Sequence, residues 1–258
     1  MEEIFGEERL SLINFCEGRE DEVILFAAVE GKMGRVWVDN RERVRCALVI
    51  TGDFCYLLGD YCPDTQKDIV QIISELCHGK IIHGEEAWEP IITSLEKKFP
   101  DSFRSYSRYA MQGRMEWFDP GQLQEYIEGL EPEFQLARID ESIYRLTAEQ
   151  AWTQDFCRNF NSSQDFAEHG KGYVILHKGE ILSGASSYCY CDCKIEINIE
   201  TKEEYRRRGL ALACAAKLIL ECLEQQIFPR WDAANMASVA LAEKLGYRFD
   251  REYGVYSI

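Results

Sequence analysis

Three consecutive arginines, Arg206, Arg207 and Arg208, stand directly before Gly209 and a run of small and apolar residues that begins Leu210, Ala211, Leu212 and Ala213. Such a group suits an anion. The first N–H groups of a helix lack intrahelical acceptors and together carry about half a positive charge. A glycine at that point lets a phosphate approach the backbone with no Cβ in the way, and guanidinium groups add charge-assisted hydrogen bonds. A strand, a basic glycine turn and a helix in this order fit a pyrophosphate. Neither the GxxxxGK[ST] spacing of a P-loop nor the GxGxxG of a dinucleotide turn is present. Taken alone, the cluster reads equally well as solvated arginines beside a helix that begins with glycine.

Cys189, Cys191 and Cys193 alternate in SYCYCDCKIEI, so a strand through them would set three sulfurs on one face. Zinc sites take ligands from a turn plus a second element, and no partner pair stands nearby. The trio is expected to be small buried hydrophobes, and no metal is expected. His169 and His177 flank the segment without metal-ligand spacing. Eleven cysteines are an odd number in a chain whose first residues, MEEIFGEERL, are acidic rather than basic and apolar. Reduced thiols and a cytoplasmic location are the expectation.

The net charge is -16 and is spread over both halves, which argues against general binding to nucleic acid or anionic membrane. No apolar run approaches the ~18 residues of a membrane span. The arginines are therefore a local device in an acidic protein.

The elements that would position them follow from pattern. Residues 7–16 read as a helix. EVILFAAVEGK, GRVWVDNRERVRCALVITG and DFCYLLGD read as strands of an antiparallel meander, broken at Gly31, Asn40 and Gly52. Helices follow from Thr65 and over residues 85–98. DPGQLQEYIEGLEPE, residues 119–133, marks a boundary between parts 1–128 and 129–258. The second part reads strand (FQLARID), helix (TAEQAWTQDFCRNF), strands GYVILHKG, EILSGASSYCYC and KIEINIET, then helix, strand (FPRWDAA), helix (MASVALAEKL) and strand. In KIEINIET, Ile195, Ile197 and Ile199 alternate with Glu196, Asn198 and Glu200, giving one buried face. The next helix opens at Gly209 and exposes Lys217, Glu221 and Glu224. Short turns make the sheet mostly antiparallel, and the late helices force crossovers, so the class is α+β, or mixed α/β. Sequence matching finds no internal repeat.

Arg206-Arg207-Arg208-Gly209-Leu210-Ala211 resembles the Q/R-x-x-G-x-G/A motif of the GNAT acyl-CoA N-acyltransferases, with a strand before it and a helix after it. Asn235 with SVALAEKLGY resembles the second motif of that superfamily, N-x-x-[SA]-x-x-L-Y-x-K-x-G-F. The resemblance covers residues 134–258. EYRRRGLA, PRWDAAN and LAEKLGY are similar to the subgroup that includes zwittermicin A resistance acetyltransferases. It implies a C-terminal GNAT fold with helices flanking the sheet, and an N-terminal α/β domain that could be a degenerate GNAT-like half, serving to cover substrate or to form a homodimer.

The resemblance also implies acetyl-CoA as cosubstrate and no metal. Its pantetheine would run along the backbone of Ile199, Glu200 and Thr201, and its phosphates would lie on Arg206, Arg207, Arg208, Gly209, Leu210 and Ala211. Asn235 and Ser238 would reach the distal pantetheine. The implied reaction is direct attack by a primary amine of a small molecule on the thioester. Glu196 matches the place of a base in some members, with Glu200 and Asp232 in reserve. The tyrosine that protonates the thiolate is replaced by Ala242, so the role is vacant or is filled from elsewhere, by Ser238, Tyr253 or Tyr256. That departure motivates the alternative reading, a non-catalytic acyl-CoA sensor.

Overall fold

The computed structural model describes residues 1–19, 21–76, 82–83 and 86–258. The chain forms two compact units, one of Met1–Arg108 with Glu252–Ile258 and one of Tyr109–Arg251.

In the first unit, β1 (Glu2–Ile4), β2 (Arg35–Val38), β3 (Cys46–Thr51) and β4 (Phe54–Gly59) pair antiparallel in that order. β5 (Ile82–His83) adds parallel to β4. Helices α1 (Val23–Val29), α2 (Gln66–Leu76) and α3 (Glu89–Lys98) complete it, and Leu48, Ile50, Leu57, Ile69, Ile73, Trp88 and Leu95 fill its core. The expected meander is present except at its start. VILFAAV is a helix with six of its seven residues buried. An apolar run this short fits either period, and Ala27 and Ala28 favour the helix. Arg9, itself buried, fixes its end by donating to Ala28 O at 3.1 Å. Gly6–Cys16, read as an ordinary helix, is a 3-10 helix.

β6 (Arg104–Gln112) runs on into the second unit. There α4 (Pro120–Glu128) packs on α7 (Leu210–Glu224). This is why residues 109–128 belong with the second unit, whereas the sequence reading set the division at 128/129. β7 (Gln135–Arg138), β8 (Gly172–His177), β9 (Glu180–Cys191) and β10 (Lys194–Thr201) pair antiparallel, and β11 (Phe228–Arg230) is parallel to β10. The remaining elements are α5 (Glu141–Thr147), α6 (Ser163–His169), β12 (Asp232–Ala233), α8 (Met236–Leu245) and β13 (Arg248–Ser257), whose last residues return to the first unit.

The single helix expected over 147–160 is instead a run of turns with a 3-10 helix at Gln154–Phe156, and the α-helices α5 and α6 lie on either side of it. Asp140 caps α5 by accepting from Ile143 N–H at 2.9 Å, and Ser162 caps α6 by accepting from Asp165 N–H at 3.1 Å. Between them the Thr153 hydroxyl donates to Thr147 O at 2.7 Å, a side-chain bond that competes with a continuous helix.

Apart from α4, which precedes the second series, β1 to β6 and β7 to β13 follow one order. Each runs strand, helical segments, antiparallel strands, helix, a strand parallel to the last of them, helix and strand, with β12 as an addition in the second. The repeat that sequence matching misses is thus present in the order and direction of the elements. Among the described residues no helix is long and apolar enough to cross a membrane.

Candidate active site

β10 is the pivot of the second unit. It pairs with β9 along its whole length, but the register shifts between Glu196, opposite Cys189, and Ile197, opposite Ser187. Tyr188 is the extra residue of a bulge, which bends a strand and increases its twist. On its other edge β10 pairs with β11 only from Lys194 to Glu196. The chain then turns at Trp231 and gives Asp232 and Ala233 to β6, opposite Ala110 and Tyr109. Ile197 to Thr201 therefore have no strand partner on that edge among the described pairings. FPRWDAA is two short strands with different neighbours rather than the single strand its sequence suggests.

Beyond β10 the chain forms a cradle of backbone amides. φ is -62° at Arg206, +64° at Arg207 and +80° at Gly209, with Arg208 between them at negative φ. Alternating signs of this kind turn successive N–H groups toward one concavity, which binds anions. Gly209 is the N-cap rather than the first helical residue, and Leu210 opens α7. The first helical bond is Ala213 N–H to Gly209 O at 3.0 Å, which leaves the N–H groups of Leu210, Ala211 and Leu212 without a helical acceptor. A Cβ built on Gly209 meets nothing within 4 Å. Space is therefore free at the N-cap itself, where a bound anion would approach the backbone.

The three arginines differ. Arg206 donates to Glu200 Oε1 at 3.2 Å and to Thr201 O at 3.3 Å. Arg208 donates to Glu131 at 2.7 Å and Glu133 at 3.0 Å, and its guanidinium lies 4.6 Å from the centre of the Phe134 ring. The bond to Glu133, reinforced by Glu131, raises its pKa further. Arg207 is exposed and makes no such bond among the described residues. Two of the three charges are thus committed within the protein. Arg207→Ala is expected to weaken CoA binding a few-fold, more at low salt than at high, whereas Arg208→Ala lowers the melting temperature by more than it changes affinity. Calorimetry at two ionic strengths and a thermal melt separate the two effects.

At the far side of the gap, the Asn235 side chain accepts from Ser238 N–H at 3.0 Å and caps α8. The Ser238 hydroxyl accepts from the Trp231 indole N–H at 3.1 Å, and Trp231 is buried. The hydroxyl proton of Ser238 stays free to be donated. Asn235→Ala is expected to cost about 1 kcal/mol of stability through the lost cap, read as a lower midpoint in denaturant at constant m-value.

Glu196 is only 5% exposed, against the solvent-facing position its alternation with isoleucines suggested. It sits at the bulge, with Cys189 on β9 and Arg230 on β11 as its register partners. The Tyr247 hydroxyl donates to Pro229 O at 2.6 Å, and burial holds its pKa well above the usual phenol value. Tyr247 is a core residue. Ala242 is fully buried, so nothing at that position reaches a sulfur. Tyr253 and Tyr256 belong to the first unit, where Tyr256 stacks on Phe103 at 5.7 Å. Glu221, read as exposed, is buried and accepts from Arg138 at 3.0 Å and Gln225 at 3.1 Å.

The cysteine trio does not share a face. Cys189 and Cys191 are buried, and burial pushes the Cys189 thiol up, but Cys193 is exposed in the turn to β10 at φ +56°. Asp39, Cys46 and Cys62 of the first unit do come within 4.8 Å of one another. Asp39 is already saturated there: Oδ1 accepts from Arg45 N–H at 2.9 Å and Cys46 N–H at 3.1 Å, and Oδ2 accepts from Arg45 Nε at 2.8 Å and the Cys62 thiol at 3.9 Å. These contacts close the corner before α2. That corner is the counterpart of the cradle and lacks its chemistry. Pro63 has no N–H, Asp64 is acidic, and the amides of Thr65 and Gln66 are taken by Cys62 O and Pro63 O.

The chain that carries this early-ending parallel pair, bulged strand and basic amide turn belongs to the GNAT acetyltransferase family, a family of acyl-CoA users, whose model matches residues 14–256. It is 34% identical to a GCN5-related N-acetyltransferase-like protein from Streptococcus suis 89/1591, over 97% of this chain and 98% of that one, with a TM-score of 0.86. It is also 35% identical over 125 residues to the uncharacterized N-acetyltransferase YdfB of Bacillus subtilis (strain 168), a match that covers 47% of each chain. The chain thus spans about half the length of the curated relative it matches. A tandem GNAT protein from the clavulanic acid biosynthesis pathway shares the fold at 12% identity, a TM-score of 0.54 and coverage of 97% and 93%.

Proposed function

We propose that this protein transfers the acetyl group of acetyl-CoA to a primary amine of a small molecule by direct attack on the thioester. The observation that carries this reading is the unpaired edge of β10 from Ile197 to Thr201 leading into the amide cradle at Gly209. A free strand edge takes an extended, amide-bearing chain, and free helix-opening amides take a diphosphate. CoA joins those two parts, with a phosphorylated adenosine beyond the diphosphate.

Acetyl-CoA, when bound, supplies the activated carbonyl. Ile199, Glu200 and Thr201 would hold the pantetheine through main-chain groups. Arg206, Arg207, Arg208, Gly209, Leu210 and Ala211 would hold the phosphates, chiefly by N–H groups. Glu196 would remove a proton from the amine, directly or through water, since a buried carboxylate at the bulge is close to the end of the gap. Ser238 would donate its hydroxyl proton toward the departing sulfur, with Trp231 fixing its oxygen. Asn235 would orient the same region. The acidic surface attracts a cationic acceptor.

The first unit would then be a degenerate GNAT-like half, with Pro63 and Asp64 where the second unit has free amides. A role in covering substrate or forming a homodimer fits it, and the location would be cytoplasmic.

The alternative reading, an acyl-CoA sensor, is favoured by one observation, the buried Ala242 in place of a tyrosine. A CoA thiolate leaves readily near neutral pH, so the tyrosine is dispensable. Incubation with acetyl-CoA and a panel of amines separates the two. Release of free thiol that depends on an amine supports the enzyme, and tight CoA binding without release supports the sensor.

A further inference from the structure

Ile195 and Ile197 of β10 lie in the core that includes α7, and Ile199 packs against it. Strand alternation therefore turns Glu196, Asn198 and Glu200 to the opposite face. Their partners on β9 are Cys189, Ser186 and Gly184, all small, and the next residue beyond Ser186 on β8 is Gly172. A polar stripe thus runs along β10 over a floor of small side chains, at the stretch where β10 has lost its neighbour on the other edge.

The middle of the stripe is chemically incomplete. The Asn198 Nδ2 and the Ser186 Oγ are both buried, and among the described residues neither has a hydrogen-bond partner. Ser186 is fully buried, and Asn198, its register partner, is half-buried. A buried donor and a buried hydroxyl side by side form one hydrogen bond after a small rotation. Such a bond would direct the Asn198 amide NH2 group into the sheet and its carbonyl oxygen outward. The stripe then presents an amide oxygen between two carboxylates, all of them acceptors.

We propose that Asn198, positioned by Ser186, determines acceptor specificity by taking an N–H donor of the acceptor amine other than the reacting nitrogen. The inference rests on the transferase reading above. Residues two apart on a strand are roughly 7 Å apart. With the reacting nitrogen at Glu196, the second donor lies about that far away, which describes diamines and amino amides rather than simple alkylamines. The acceptor class is therefore an amine with a second nitrogen donor several bonds from the first.

The test compares acetylation of matched linear amines of equal length, one ending in a methyl group and one in an amine or carboxamide, by the intact chain and by Asn198→Leu, Asn198→Asp and Ser186→Ala. The wild type is expected to favour the second donor by ~10-fold or more in kcat/KM. Asn198→Leu should abolish that ratio mainly through KM, Asn198→Asp should keep it, and Ser186→Ala should reduce it. Equal use of both amines by the wild type overturns the proposal, as does a loss in Asn198→Leu that is the same for both amines, which marks a structural role. If CoA binds but no amine is acetylated, the transferase reading fails and this proposal with it. Thiol release with simple alkylamines preserves the first while the ratio decides the second.

Discussion

Gly209→Val raises the CoA dissociation constant at least ~100-fold, about 2.7 kcal/mol, while the protein stays folded. The glycine holds φ +80°, a left-handed conformation that costs a β-branched residue roughly 1–2 kcal/mol. That strain is local and modest. The larger effect is expected on the ligand, because a Cβ at Gly209 enters space that is empty in the free protein, at the start of the helix whose first amides lack a helical acceptor. Gly209→Ala is the control. It adds one carbon, meets no neighbour, and should lose affinity with a smaller drop in melting temperature. Calorimetry with CoA, beside a thermal melt of each variant, reads both quantities. Unchanged binding in both variants would remove the cradle from the site.

Glu196→Gln should lower kcat by ~10²–10⁴-fold, the range spanned by a single general base, and leave CoA affinity unchanged. The substitution keeps shape and burial and removes the ability to accept a proton. Because a buried charge is lost, stability should hold or rise. Glu200→Gln is the comparison. Glu200 is bound to Arg206, so its loss loosens the turn and acts on CoA affinity. Steady-state rates and calorimetry on the two variants place them on opposite sides of the division between chemistry and binding. Full activity in Glu196→Gln would transfer the role of base to another group.

Much of the site was legible in the sequence because its signals are local. The alternation in KIEINIET marks a strand, and a glycine after three arginines marks the turn into an alanine-rich helix. Both are where the residues placed them. What escaped depends on pairing between distant segments. The bulge at Glu196 is a mismatch in length between β9 and β10, which neither strand carries by itself. The commitment of Arg208 to Glu131 and Glu133 needs residues more than seventy positions away. The unit division was displaced for the same reason, since α4 joins the second unit through its contact with α7. α1 escaped because seven apolar residues satisfy both helical and extended patterns. The repeated order of elements left no trace in residue identity because a core constrains size and polarity rather than particular side chains.

The proline at the corner before α2 has a stoichiometric consequence. A chain built twice on one plan, with its helix-opening amides spent in one copy and available in the other, offers, on the reading proposed above, one cradle for the nucleotide among the described residues. Its titration with CoA should saturate at one equivalent in a single hyperbolic step, with no second, weaker phase. Any cooperativity seen in solution would then have to come from association between chains.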